Sequence, residues 1–145
     1  MKNYLTAIFI LAIAINLSAQ EWQTNFDDAK ALASKENKAI VLVFQGSDWC
    51  APCIKLDKQV WSTDTFQKLA KDKFVMLKAD FPRRKANKLS KELQEQNNSL
   101  AEQYNAQGFF PLAVVLNKDG KSLGKIGYEK IEPSAYFKKL TAFTN

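Results

Sequence analysis

The 145-residue chain contains no histidine. The usual general base and the usual zinc ligand are therefore missing. This excludes serine–histidine hydrolase chemistry and Cys2His2 zinc sites. Cysteine is almost absent too, with two residues in the whole chain. A zinc site built on that pair would need two carboxylates as further ligands, and no metal is expected. Glycine and proline are sparse, at 5 and 4 residues, and there is no low-complexity tract or internal repeat. No glycine-rich dinucleotide motif is present, which excludes NADPH as a directly bound reductant.

What is present describes an ordinary globular chain, 46% hydrophobic and 25% charged, with room for one domain and a proper core. The first residues differ from the rest. Lys2 is followed by an apolar run from Leu5 to Ile15 broken only by Thr6, then by Asn16-Leu17-Ser18-Ala19. A positive start, a short apolar stretch and a small residue form the layout of a secretory signal peptide. Residues 1–19 are read as that peptide, with cleavage after Ala19, and residues 20–145 as the working domain. The run falls short of the about 20 apolar residues of a comfortable membrane span; retention as an anchor is the alternative. The expected location is periplasmic or secreted. Removing Lys2 lowers the formal charge from +6 to +5.

Residues 21–25 predict a short edge strand, and Asn25 a cap for a helix to about Asn37 with Phe26, Ala29, Leu32 and Ala33 inward. Ala39–Phe44 is apolar on consecutive residues, as in a strand covered on both faces. A helix begins near Cys50, with Pro52 in its first turn, and runs to about Trp61. Ser62-Thr63-Asp64 breaks it, and Phe66 and Leu69 continue a second piece. Phe74–Asp80 is a second strand, and Pro82 to about Asn98 a polar, charged connection. Leu100–Tyr104 predicts a helix and Leu112–Leu116 a third apolar strand. Asn117-Lys118-Asp119-Gly120 turns into a return strand over about Lys121–Tyr128. Pro133 starts a last helix with Phe137, Leu140 and Phe143 toward the sheet. Strands separated by helices imply parallel pairing, with an antiparallel hairpin at the edge.

Both cysteines lie in Trp49-Cys50-Ala51-Pro52-Cys53, between the first buried strand and a helix start. A disulfide closing so small a loop restricts the unfolded chain little, because the benefit grows with loop length. Reversible dithiol–disulfide chemistry suits the spacing better, since residues three apart on a helix share a face. Cys50, at the helix N-terminus, gains from the dipole and the unpaired N–H groups, which favour a thiolate. Nearby Asp48 opposes this and Lys55 supports it. Cys50 is expected as the exposed nucleophile, and Cys53, deeper by one turn, as the resolving thiol. The redox group is the pair itself, with no other cofactor.

At this point the chain resembles the thioredoxin superfamily. Trp49-Cys50-Ala51-Pro52-Cys53 matches its Trp-Cys-Xaa-Pro-Cys motif, and Gly108-Phe109-Phe110-Pro111 matches the segment that carries its cis-proline. The terminal hairpin and helix follow in the same order. Gly46-Ser47-Asp48-Trp49-Cys50 and the interrupted helix at Val60-Trp61-Ser62 resemble exported members similar to the C-terminal domain of DsbD-type thiol reductases. The resemblance implies an α/β thioredoxin-like fold, a central mixed sheet of four to five strands flanked by helices. It implies catalytic Cys50 and Cys53, with Trp49, Ala51, Pro52, Phe110 and Pro111 as substrate-binding residues. Pro111 would pack beside the cysteines and leave the Phe110 backbone free to pair with an extended client. A proline before the second cysteine accompanies reducing members, so a reductant is favoured over an oxidant. One departure concerns the proton: thioredoxin has a buried aspartate in the strand before the motif, and Phe44 takes that position here.

The expected partners are protein disulfide clients and a membrane thiol reductase as electron donor, for a protein acting as a monomer. The alternative is a chaperone-like module that binds clients with little redox turnover. Arg83, Arg84, Lys85, Lys88 and Lys91 concentrate positive charge without interleaved aromatics. That composition reads as a solvated segment rather than a nucleic-acid site. A docking surface for an acidic partner is the other reading.

Overall fold

A computed structural model describes residues 20–145. The signal-peptide reading of residues 1–19 therefore lies outside the described residues. Five strands form one sheet in the order β1-β3-β2-β4-β5. They are β1 (Trp22–Gln23), β2 (Ala39–Gln45), β3 (Phe74–Asp80), β4 (Leu112–Leu116) and β5 (Ser122–Ile126). The helices are α1 (Phe26–Glu36), α2 (Ala51–Leu56), α3 (Asp64–Ala70), α4 (Lys91–Tyr104) and α5 (Pro133–Ala142). The mixed five-stranded sheet is the expected architecture.

Alternating strand residues serve two separate cores. Ile40, Leu42 and Phe44 of β2 join Val75, Leu77, Val114 and Leu116 under α1 and α4. Val41 and Val43 join Met76, Ala113 and Val115 on the other face, under α2, α3 and α5. That second core is rich in rings, with Trp61 against Phe66 at 4.9 Å and against Tyr136 at 5.2 Å between centroids. Both faces of β2 are covered, which is why it reads as an unbroken apolar run.

Local signals set the ends of most elements. Asn25 Oδ1 accepts the N–H of Asp28 and caps α1, and Thr63 Oγ1 accepts the N–H of Phe66 at the start of α3. Asn37 closes α1 in the left-handed conformation at φ 52, which asparagine tolerates better than most residues. A π-helical turn at Asp57–Trp61 joins α2 to the break before α3, accounting for the interruption at Val60-Trp61-Ser62.

Four expectations are corrected. β4 runs antiparallel to β2, with Leu112 opposite Phe44, rather than parallel as the helix between strands implied. The stretch Asn105–Pro111 carries the chain back after α4, so β4 begins at the end of the sheet where β2 finishes. α4 begins at Lys91, not near Leu100, with Ser90 Oγ accepting the N–H of Leu93. Its inward face includes the buried Asn97, a polar residue that breaks the apolar period. Asn97 is satisfied by donating to the Asp80 carbonyl at 3.0 Å. β5 ends at Ile126 instead of Tyr128. In α5 Tyr136 and Leu140 are buried, whereas Phe137 and Phe143 pack at the margin. Tyr136 is placed inside because its hydroxyl donates to the Gly127 carbonyl at 2.8 Å, and burial raises its pKa.

Candidate active site

The two cysteines lie where β2 hands the chain to α2. The main chain turns tightly, the N–H of Cys50 donating to the Gly46 carbonyl at 2.9 Å. Cys50 is then the N-cap of α2. Its Sγ is bonded to Cys53 Sγ, with the Cα atoms 5.2 Å apart, and accepts the N–H of Cys53 at 3.3 Å. An N–H so placed at a helix start is the kind of donor that stabilises an anion.

The expected contrast in exposure is absent in this disulfide form. Cys50 and Cys53 are each 4% exposed. Cys50 Sγ lies against the first turn of α2, accepting the Cys53 N–H, and Ala51 and Pro52 are the exposed residues of the motif. Lys55 is exposed on the outer side of the helix.

Trp49 is anchored rather than loose. Its Nε1–H donates to the Phe81 carbonyl at 2.7 Å, and its ring lies 5.6 Å from that of Phe110. Phe110 also meets Phe81 at 5.4 Å. Gly46 permits this arrangement, because a Cβ there would fall 2.2 Å from the indole. The Phe110–Pro111 peptide bond is cis, as the Phe-Pro pair before β4 suggests. Asn105 fastens the loop that leads into it. Its Oδ1 accepts the N–H of Phe109 at 2.9 Å and its Nδ2 donates to the Phe109 carbonyl at 2.8 Å. Phe109 itself projects outward, 57% exposed.

Residues 21–118 match the protein family described as thioredoxin-like. The chain belongs to the thioredoxin-like family. The disulfide bond reductase DsbH of Chlamydia pneumoniae is 32% identical over 120 residues, covering 83% of this chain and 70% of that protein. A solved structure of a DsbH oxidoreductase superposes with a TM-score of 0.80 at 28% identity, covering 99% of this chain and 94% of that one. The oxidised C-terminal domain of DsbD from Neisseria meningitidis shares the fold, with a TM-score of 0.57 at 15% identity over 80% of this chain and 90% of that domain. Within this thioredoxin-like family, Cys50–Cys53 is a thiol–disulfide exchange pair and the protein a thiol–disulfide oxidoreductase.

Two features of the site escape the motif. The first lies under Cys53. Phe44 packs in the core beneath α1 and α4, on the opposite face of the sheet from α2. On the α2 side, a cleft of about 260 Å³ is lined by Gln45, Ser47, Cys53, Ile54, Asp57 and Lys78. A carboxyl and an amino side chain thus line the cleft of the second cysteine, supplied by the π-helical turn and by β3. Asp57 could have been suspected from its place one turn after Cys53; nothing in the sequence connects Lys78 to it.

The second feature is a clasp between the segment before Cys50 and the one after β3. Ser47 donates to Asp80 through its N–H at 2.9 Å and its hydroxyl at 2.6 Å. Asp48 accepts from the N–H groups of Arg83 and Arg84 at 2.9 and 3.0 Å and from Asn87 Nδ2 at 3.0 Å. These donors, the Arg83 N–H foremost and the Asn87 amide next, hold the Asp48 carboxyl at about 2 against its ordinary 3.8. The Asp48 charge expected to oppose the Cys50 thiolate is therefore engaged by three donors.

Proposed function

We propose that the protein is an exported reductant of protein disulfides. The observation that carries this reading is the seat of Cys50 Sγ at the N-cap of α2, accepting the Cys53 N–H. Opening the disulfide frees Cys50 Sγ as a stabilised thiolate. It attacks one sulfur of a client disulfide, the client S–S bond breaks, and a mixed disulfide forms. Cys53, deprotonated, then attacks Cys50 Sγ and the client leaves as a dithiol carrying two electrons. Asp57 is the group in the Cys53 cleft suited to take that proton. The cis turn at Pro111 and the Phe110 backbone offer an extended client a strand partner, with Trp49, Ala51 and Pro52 as the surrounding contact surface. The redox group is the cysteine pair itself, without a further cofactor.

Export is supported by the Lys2, Leu5–Ile15 and Ala19 pattern. Among the described residues no helix is long and apolar enough to cross a membrane. A membrane thiol reductase that returns electrons to Cys50–Cys53 completes the cycle, and the protein works as a monomer.

Insulin reduction with dithiothreitol tests the activity. The native protein accelerates it and Cys50→Ser does not; equal rates would leave only a client-binding role. The reduction potential of the pair tests direction. A value near the roughly −270 mV of thioredoxin supports the reductant, and one near the roughly −120 mV of DsbA overturns it.

A further inference from the structure

We infer that the basic segment after β3 is a specificity rim of the active site, selecting client disulfides flanked by acidic residues. This rests on the exchange activity proposed above and adds to it the charge of the client. The segment is remote from the motif in sequence, yet Asp48 clasps it two residues before Cys50 through the main-chain N–H groups of Arg83 and Arg84. The Arg83 guanidinium lies 3.7 Å over the Trp49 ring, a cation–π contact that fixes a positive charge at the rim of the cysteine site. Because Asp48 is held by main-chain donors, the side chains of Arg84 and Lys85 are not needed for the clasp, and both are exposed, as is Lys88. The ion pairs found among the described residues involve other cations, Lys30, Lys38, Lys91 and Lys139. The rim therefore presents positive charge to solvent beside the cysteines.

Next to it stands an apolar ledge, Phe110 against Trp49 and Phe109 exposed in the preceding turn. A client strand laid along the cis-proline turn would meet the ledge with apolar side chains and the rim with charged ones. An acidic segment gains attraction there, and a basic one is repelled. Nucleic acid fits this surface less well, because Trp49, Phe110 and Phe81 pack against one another and Arg83, which leaves Phe109 as the one exposed ring of the ledge.

Two synthetic peptides test the rim. They share one intramolecular cystine and differ only in flanking Glu or Lys residues. Reduced native protein should reduce the Glu peptide about tenfold faster than the Lys peptide at low salt, and the gap should close in about 0.5 M salt. Arg84→Glu with Lys85→Glu should reverse the order. Lys118→Glu with Lys121→Glu makes the same change of net charge at the opposite end of the sheet and should preserve the native preference. Equal rates for the two peptides, or loss of preference in the hairpin variant as well, would overturn the rim. Anisotropy with labelled, cysteine-free versions of the peptides reads the rim without chemistry. If neither cystine peptide is reduced, the redox reading fails, and the rim stands or falls on tighter binding of the Glu version.

Discussion

The two ends of the sheet are built differently. At the end away from the cysteines, the turns are closed mainly by their own residues, with two longer links, Lys38 Nζ to the Lys71 carbonyl and the Tyr104 hydroxyl to the Gly120 carbonyl. Lys38 N–H returns to the Ala33 carbonyl after the left-handed Asn37. Asn117 Oδ1 accepts the N–H groups of Asp119 and Lys121, with Gly120 at φ 87. At the cysteine end, the turns close on one another. Ser47 is tied to Asp80, Asp48 to Arg83, Arg84 and Asn87, and Trp49 to Phe81, across 32 to 39 residues of chain. A turn closed locally can be replaced without disturbing its neighbours. A turn closed on another segment transmits every change, and this interdependence holds the redox pair against its client surface.

Substitutions at the two ends sharpen this difference. The largest effect is expected at Trp49→Ala, which removes the indole between Phe110 and Arg83 and its bond to Phe81. Loss of a packed aromatic is worth about 3–5 kcal/mol in a core. Trp49 is only partly buried, so a cost of about 1–3 kcal/mol is expected in denaturant titration, with insulin reduction falling at least about tenfold. A variant of native stability and activity would show that the ends are alike. Asp57→Asn comes next: release from the mixed disulfide should slow about tenfold while attack by Cys50 keeps its rate, as rapid-quench trapping would show. Asp80→Ala should cost about 0.5–1.5 kcal/mol by removing its bonds to the exposed Ser47, with a measurable drop in exchange rate.

At the far end the signs change. Asn37→Gly should stabilise the fold by roughly 0.5 kcal/mol, because glycine adopts a positive φ without strain, and leave exchange untouched. The smallest effect is in pH. Asp48 has a lowered pKa, so its contribution is complete above pH 3.8 and is lost as pH falls through about 2. The stability gap between native protein and Asp48→Asn should be constant above pH 3.8 and should close as pH falls through about 2 in an acid titration. A gap that stays open below about pH 2 would overturn this assignment, and a shifted Cys50 thiol titration in Asp48→Asn would mean that Asp48 acts directly on Cys50.

How much was legible follows the same division. The helix cap at Asn25, the strand over residues 39–45, the break before α3 and the Asn117–Gly120 turn rest on neighbours in sequence, and local pattern reaches them. The sequence pattern shows only the end of α4, because Asn97 and Gln96, spent on the Asp80 and Thr24 carbonyls, hide its inward face. The antiparallel run of β4 is not legible in the pattern, because helix-linked strands suggest a parallel return, and the return loop Asn105–Pro111 is fastened by the buried Asn105.

The amino-acid order alone determined the redox motif, its position at a helix start, the proline that turns cis before β4 and the membership of the family. These depend on residue identity at short spacing. Only the folded chain decided that both sulfurs are covered in the disulfide, that Asp57 and Lys78 share the cleft of Cys53, and that the arginines after β3 reach Trp49. Those are contacts between segments far apart along the chain, and packing of the sheet and helices brings them together.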